Sequence, residues 1–106
     1  MRQNIKVENW LDADGNPSGG TVVGTGLEIQ WQNGPLGRGE ERQEPNGAFV
    51  EDVIAAAAER IRFYQAGKFA CRENAIALTH IETALLWLNH RTAQREERGV
   101  EGTHEQ

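Results

Sequence analysis

The 106-residue chain has a single cysteine, Cys71, and therefore no intramolecular disulfide. Cys71 falls at the start of a helical pattern, where it reads as a small buried apolar side chain. A nucleophile would need a base within reach, and no neighbouring pattern supplies one. No apolar run is long enough to span a bilayer and no leader peptide opens the chain, so the expectation is an intracellular protein. A basic excess is also missing. Lysine and arginine number 11 against 16 carboxylates, a formal net charge of −5. That balance argues against a general binder of polymeric nucleic acid and leaves any anion site to a local cluster of cations. The histidines, His80, His90 and His104, keep no ligand spacing with one another or with a cysteine or carboxylate, so no metal centre and no cofactor are expected. There is neither a nucleophile elbow nor a Ser–His–Asp arrangement. Nothing in the chain asks to be an enzyme.

What the chain does have is helical periodicity between Asn46 and Arg98. The spacing predicts two helices folded back on each other. The first runs from Gly47 to Tyr64, with apolar positions Val50, Val53, Ile54, Ala57, Ile61 and Tyr64 on one face. Asn46 stands as its N-cap, Glu51 and Asp52 suit its positive end, and Gly67 in the Gln65–Lys68 turn is the left-handed residue that ends it. The second helix runs from Phe69 to Arg98 and stops at Gly99. Its seam is Asn74, Ala77, Leu78, Ile81, Leu85, Leu88 and Thr92, spaced about three and four apart. A second apolar set, Ile76, Thr83, Leu86 and Trp87, lies off that stripe. One short partner helix cannot cover both faces, so self-association or a covering sheet is expected.

The N-terminal third reads as β structure. Asn4–Trp10 alternates Ile5 and Val7 with Lys6 and Glu8. Thr21–Gln32 alternates Leu27, Ile29 and Trp31 with Glu28, Gln30 and Gln32. Between them, Asp12–Gly20 copies the opening of a calcium loop at Asp12, Asp14 and Asn16. Pro17 and Val23 stand where that loop needs glycine and glutamate, and a hairpin turn is the better reading. The predicted fold class is α+β in one domain: a β-hairpin over 1–33, a glycine- and charge-rich loop over 34–45, a helical hairpin with a long second helix over 46–99, and a polar tail over 100–106. The loop glycines lack the Lys-Ser/Thr of a phosphate loop.

The strongest candidate for chemistry is Arg91, Arg95 and Arg98, four and three apart on one helical face, with Trp87 one turn earlier. Such a row is either a solvated last turn or a platform of forked donors for a phosphate or pyrophosphate. Tyr64 and Phe69 flank the interhelical turn and are placed to stack on a base. A full helix length, about 40 Å, separates that turn from Arg95. The two features share a site only if an antiparallel partner brings its own turn alongside.

The chain resembles the Thoeris anti-defence sponge family of phages, whose helical hairpin is shared with the phage anti-CBASS sponges. The resemblance rests on Ile29-Gln-Trp-Gln-Asn-Gly-Pro-Leu36, Asn46-Gly-Ala-Phe-Val-Glu-Asp-Val53, Phe63-Tyr-Gln65 and Phe69-Ala-Cys-Arg-Glu-Asn-Ala75. It continues in Ile81-Glu-Thr-Ala-Leu-Leu-Trp-Leu88, Arg91-Thr-Ala-Gln-Arg95 and Arg98-Gly-Val-Glu-Gly102, and so covers nearly the whole chain. It implies a protein that captures an immune signal without cleaving it: cyclic ADP-ribose isomers such as glycocyclic ADP-ribose and, in some members, cyclic trinucleotides at a separate site. It implies assembly from dimers into a larger ring, a hexamer, in the cytoplasm of the infected bacterial host. Carried over by position, Tyr64 matches a base-stacking aromatic, Asn74 a polar reader of base or ribose, and Arg91 and Arg95 the phosphate-binding arginines. Arg38 or Arg42 matches a loop arginine that closes over the ligand. Arg72 and Thr79 are the candidates for the trinucleotide site. A hydrolase of the same signals and a structural oligomer without ligand are the alternative classes.

Overall fold

The structure, a computed structural model, describes residues 4–97. It is α+β: β1 (Ile5–Leu11), β2 (Pro17–Gly24) and β3 (Leu27–Asn33), then a short 3-10 turn at Gly39–Glu41, then α1 (Val50–Gln65) and α2 (Arg72–Glu97). The second helix is the longer, as the periodicity predicts. Arg98 and the predicted stop at Gly99 lie outside the described residues. The chain divides into two compact units at the Phe49–Val50 junction, one built on the sheet and one on the helices.

The sheet is an antiparallel meander in the order β1-β2-β3. The predicted hairpin gains a strand because Thr21–Gln32 is not one continuous segment. Gly24 pairs with Leu27, and Thr25-Gly26 turns the chain between them. Gly26 has φ +72°, a conformation in which a Cβ is strained. The register stacks Val7, Val22 and Ile29 in one row and Ile5, Gly24 and Leu27 in the next. Between β1 and β2, the Asp12 carboxylate accepts from the backbone N–H groups of Asp14 at 2.9 Å and Asn16 at 3.0 Å. The calcium-like spacing thus serves an Asx turn.

Asn46 is not a helix cap. Its side chain accepts from Asn33 N–H at 2.8 Å and donates to the Asn33 carbonyl at 3.1 Å, while its own N–H donates to Gln32 Oε1 at 2.9 Å. Ala48 bridges Trp31 in parallel, donating to the Gln30 carbonyl at 2.8 Å and accepting from Gln32 N–H at 2.9 Å. The segment that local pattern assigns to α1 therefore lies along the free edge of β3, and α1 begins only at Val50. Gly47 makes this possible. A Cβ there would meet the Trp31 carbonyl carbon at 2.6 Å and the Gln30 carbonyl oxygen at 2.7 Å, both backbone atoms that cannot swing aside. Gly47→Ala should destabilise the sheet unit by roughly 1–3 kcal/mol. Urea unfolding followed by the tryptophan signal checks this, and an unchanged midpoint contradicts the proposed close approach.

In the helical unit, α1 and α2 pack antiparallel. On α2 the half-buried row is Asn74, Leu78, Ile81, Leu85, Leu88, Thr92 and Arg95, the predicted seam without Ala77 and extended by one more step of three. On α1 the predicted face is rotated. The half-buried or buried positions are Glu51, Val53, Ile54, Ala55, Ala58, Ile61, Arg62 and Gln65, and Val50, Ala57 and Tyr64 are exposed. Ala58 is completely buried, which suits a small side chain where two helix backbones approach closely.

The turn between the helices also differs from expectation. Gly67 does not take a left-handed conformation. Instead the Gln65 side-chain amide clamps Cys71, accepting from its N–H at 3.0 Å and donating to its carbonyl at 3.1 Å. Cys71 is exposed rather than buried, and its Sγ accepts from Asn74 N–H at 3.4 Å. That is the N-cap position of α2, so the lone cysteine caps a helix and α2 begins at Arg72, three residues later than predicted.

Candidate ligand-binding site

The candidate residues of the helical unit fall into two groups, one at each end of the hairpin. At the turn end, Arg60, Phe63 and Tyr64 share a stripe of α1 by their spacing of three and four. The Phe63 and Tyr64 rings lie 6.0 Å apart at 56°. The Arg60 guanidinium carbon sits 5.2 Å from both ring centroids, and Arg60 Nε donates to the Tyr64 hydroxyl at 3.2 Å. Phe63, Tyr64, Ala66, Gly67, Lys68 and Phe69 surround an open concavity of about 290 Å³. Phe63 is 66% exposed and Phe69 75%, so neither ring is spent on the core. Asn74, one turn into α2, is half-buried on the seam.

At the other end, Arg91 reaches back to α1, with its guanidinium 3.6 Å from the Glu51 carboxylate. Arg95 is half-buried one turn further along α2, at the end of the seam row. In the last turn of α1, Arg62 bridges the helices to Glu82 at 3.0 Å and also pairs with Glu59 on its own helix. The hydrogen bond that Arg62 donates to the Glu82 carboxylate raises the Arg62 pKa further above its already high ordinary value, so this staple stays charged at any ordinary pH. The Glu51–Arg91 and Glu82–Arg62 bridges fix which residues of the two helices lie side by side.

The structure thus brings together Arg91 and Arg95, and separately Tyr64 with its aromatic neighbours, but not the two groups within one chain. From Glu51, beside Arg91, to Tyr64 is thirteen residues of α1, roughly 20 Å. Asn74 and Arg91 are seventeen residues apart on α2, roughly 25 Å. Arg38 and Arg42 flank the 3-10 turn of the loop in the sheet unit and are exposed. That loop is closed on itself by Gln43 N–H donating to the Leu36 carbonyl at 2.7 Å. Arg72 is exposed, 3.9 Å from Glu73. Thr79 returns its hydroxyl to the Ala75 carbonyl at 3.1 Å. Arg60 was not among the residues singled out from the sequence, although its spacing to Phe63 and Tyr64 is legible there.

Residues 25–93 match the family model of the Acb2/Tad1 hairpin domain. The chain belongs to the Acb2/Tad1 hairpin family. This is the family to which the sequence resemblance points, and its domain takes in β3, the loop, α1 and most of α2, with Tyr64, Asn74 and Arg91 inside it. Arg95 lies two residues beyond its end. A curated relative, Thoeris anti-defense 1 of Bacillus phage SBSphiJ7, is 49% identical over 77 residues, which cover 73% of this chain and 51% of the relative. The chain therefore spans about half the length of that relative.

Proposed function

We propose that this chain is a phage anti-defence protein that binds and sequesters cyclic nucleotide immune signals, cyclic ADP-ribose isomers above all, in the cytoplasm of the infected host. The observation that carries this reading is the division of the hairpin into an aromatic end and an arginine end about 20 Å apart. A cyclic dinucleotide-like molecule has a base face and a pyrophosphate edge within one compact body. It engages both ends only where two antiparallel copies set the Tyr64 end of one against the Arg91–Arg95 end of the other. Family membership and the name of the curated relative support the same assignment. In this site Tyr64 stacks on a base, Asn74 reads base or ribose, and Arg91 and Arg95 hold the pyrophosphate with charge-assisted forks. Arg72 and Thr79 remain the candidates for a cyclic trinucleotide on the exposed face of α2.

Sequestration works by mass action, so affinity and copy number matter and turnover does not. Nanomolar affinity corresponds to about −12 kcal/mol. Two arginine forks and a stacked base contribute roughly 4–9 kcal/mol of it, and a closing loop arginine with burial between copies that are ordered beforehand supplies the rest.

The experiment is capture and release. Protein is mixed with a cyclic ADP-ribose isomer, separated from free ligand, and heat-denatured, and the released molecule is analysed by chromatography. Intact ligand recovered in proportion to protein is the expected result. A converted product assigns a hydrolase instead, and no retention assigns a structural oligomer.

A further inference from the structure

We propose that Arg60 is a positioning residue that holds the Tyr64 ring in its base-stacking pose. The inference rests on the functional reading above and adds a residue to it. Arg60 stands one turn before Tyr64 on α1, and it makes three contacts with two exposed rings. Its Nε–H donates to the Tyr64 hydroxyl at 3.2 Å, and its guanidinium lies 5.2 Å from the centroids of both Tyr64 and Phe63. An aromatic ring at the surface of a helix ordinarily samples several rotamers, and a ligand that needs one of them must order the rest. The hydrogen bond fixes the far end of the Tyr64 ring, and the guanidinium fills the angle between the two rings, which are tilted at 56°. Lysine carries the same charge but lacks the planar Nε–H that reaches the hydroxyl while the rest of the fork lies against the rings. Phenylalanine at 64 keeps a stacking face but offers Arg60 no acceptor. The pair therefore gives the Tyr64 hydroxyl a role that a phenylalanine at this position would lack.

The chain contains one tyrosine, so 3-fluorotyrosine labels Tyr64 alone and gives a single fluorine resonance. Arg60→Ala should shift or broaden that resonance in the free protein while the thermal unfolding midpoint stays unchanged, since both side chains are exposed. Calorimetry with a cyclic ADP-ribose isomer should show about three- to tenfold weaker binding for Arg60→Ala, the scale of one surface cation–π contact plus one side-chain ordering step. Arg60→Lys should recover only part of it. In a double-mutant cycle, Arg60→Ala should cost much less on a Tyr64→Phe background than on wild type. If wild type binds and Arg60→Ala binds equally well with an unshifted fluorine signal, the inference is overturned and the functional reading stands. If wild type binds no cyclic ADP-ribose isomer, the functional reading is overturned and the proposed role of Arg60 with it.

Discussion

Arg95→Ala should weaken capture of a cyclic ADP-ribose ligand by about tenfold to a hundredfold, because a hydrogen bond to a charged group contributes roughly 1.5–3 kcal/mol. Arg95 is half-buried at the end of the α2 seam, so part of its ordering cost is already met before ligand arrives. Arg95→Lys should also lose affinity, since an ammonium cannot present two parallel donors to a pyrophosphate. In the free protein Arg91 pairs with the Glu51 carboxylate at 3.6 Å. A pyrophosphate must compete with that carboxylate. Arg91→Ala should cost about as much as Arg95→Ala, whereas Glu51→Gln should leave affinity unchanged or improve it modestly, by up to about fivefold for a pair of which only Arg91 is well exposed. Calorimetry on the four variants decides. Wild-type affinity in both arginine-to-alanine variants would return the row to a solvated last turn, with Arg91 serving only to staple the helices.

The parts of this fold that were legible in the sequence are those that repeat. The α2 seam repeats strictly by threes and fours from Asn74 to Thr92, and every predicted position except Ala77 is half-buried. The α1 face was mislaid by one small rotation for an identifiable reason. Ala55 to Ala58 are four identical side chains, so the pattern there carries no direction, and the flanking Val50 and Tyr64 pulled the predicted stripe towards themselves. What packs is the smallest possible contact, Ala58, with Gln65 and Glu51 at the ends of the face. Their roles are polar: Gln65 clamps Cys71 and Glu51 pairs with Arg91. Asn46 illustrates a second limit. An asparagine before a helical run is a fair N-cap, yet its partners are Asn33 and Gln32, thirteen and fourteen residues earlier, and no local window contains them. The same holds for the candidate site. The arginine row and the aromatic turn are visible as spacings, but their placement at opposite ends of one hairpin follows only from the antiparallel packing that Glu51–Arg91 and Arg62–Glu82 fix. The contact of Arg60 with both rings needed side-chain positions, because an arginine at that spacing is equally at home in water.

Placing glutamates at both Leu86 and Trp87 should disperse the assembly and reduce ligand capture more than about a hundredfold, because each site would lose one of its two halves. The argument starts from how little apolar surface one chain covers. Among the described residues the buried apolar side chains are Val22 and Ala58. Leu86 is 70% exposed, Trp87 69% and Ile76 41%, all on the set of α2 positions that lies off the seam with α1. A chain of this size is marginal even when it hides most of what it can, and fully burying one leucine stabilises by about 1.5–3 kcal/mol. On the proposed reading a second copy on this face would supply that burial, and a two-fold axis perpendicular to α2 would set the two hairpins antiparallel, the arrangement that a shared aromatic-and-arginine site requires. In a lone hairpin both glutamates would point into water and change stability by no more than about 0.5 kcal/mol. In an interface each would bring an unpaired carboxylate out of water at a cost of several kcal/mol. Circular dichroism should therefore show unchanged helix content, while sedimentation at micromolar concentration shows wild type as an oligomer and the double variant as a smaller species. A wild-type monomer that still captured ligand would overturn both the assembly and the shared site. A double variant that stayed assembled would remove this face from the interface and leave the exposed tryptophan without an explanation.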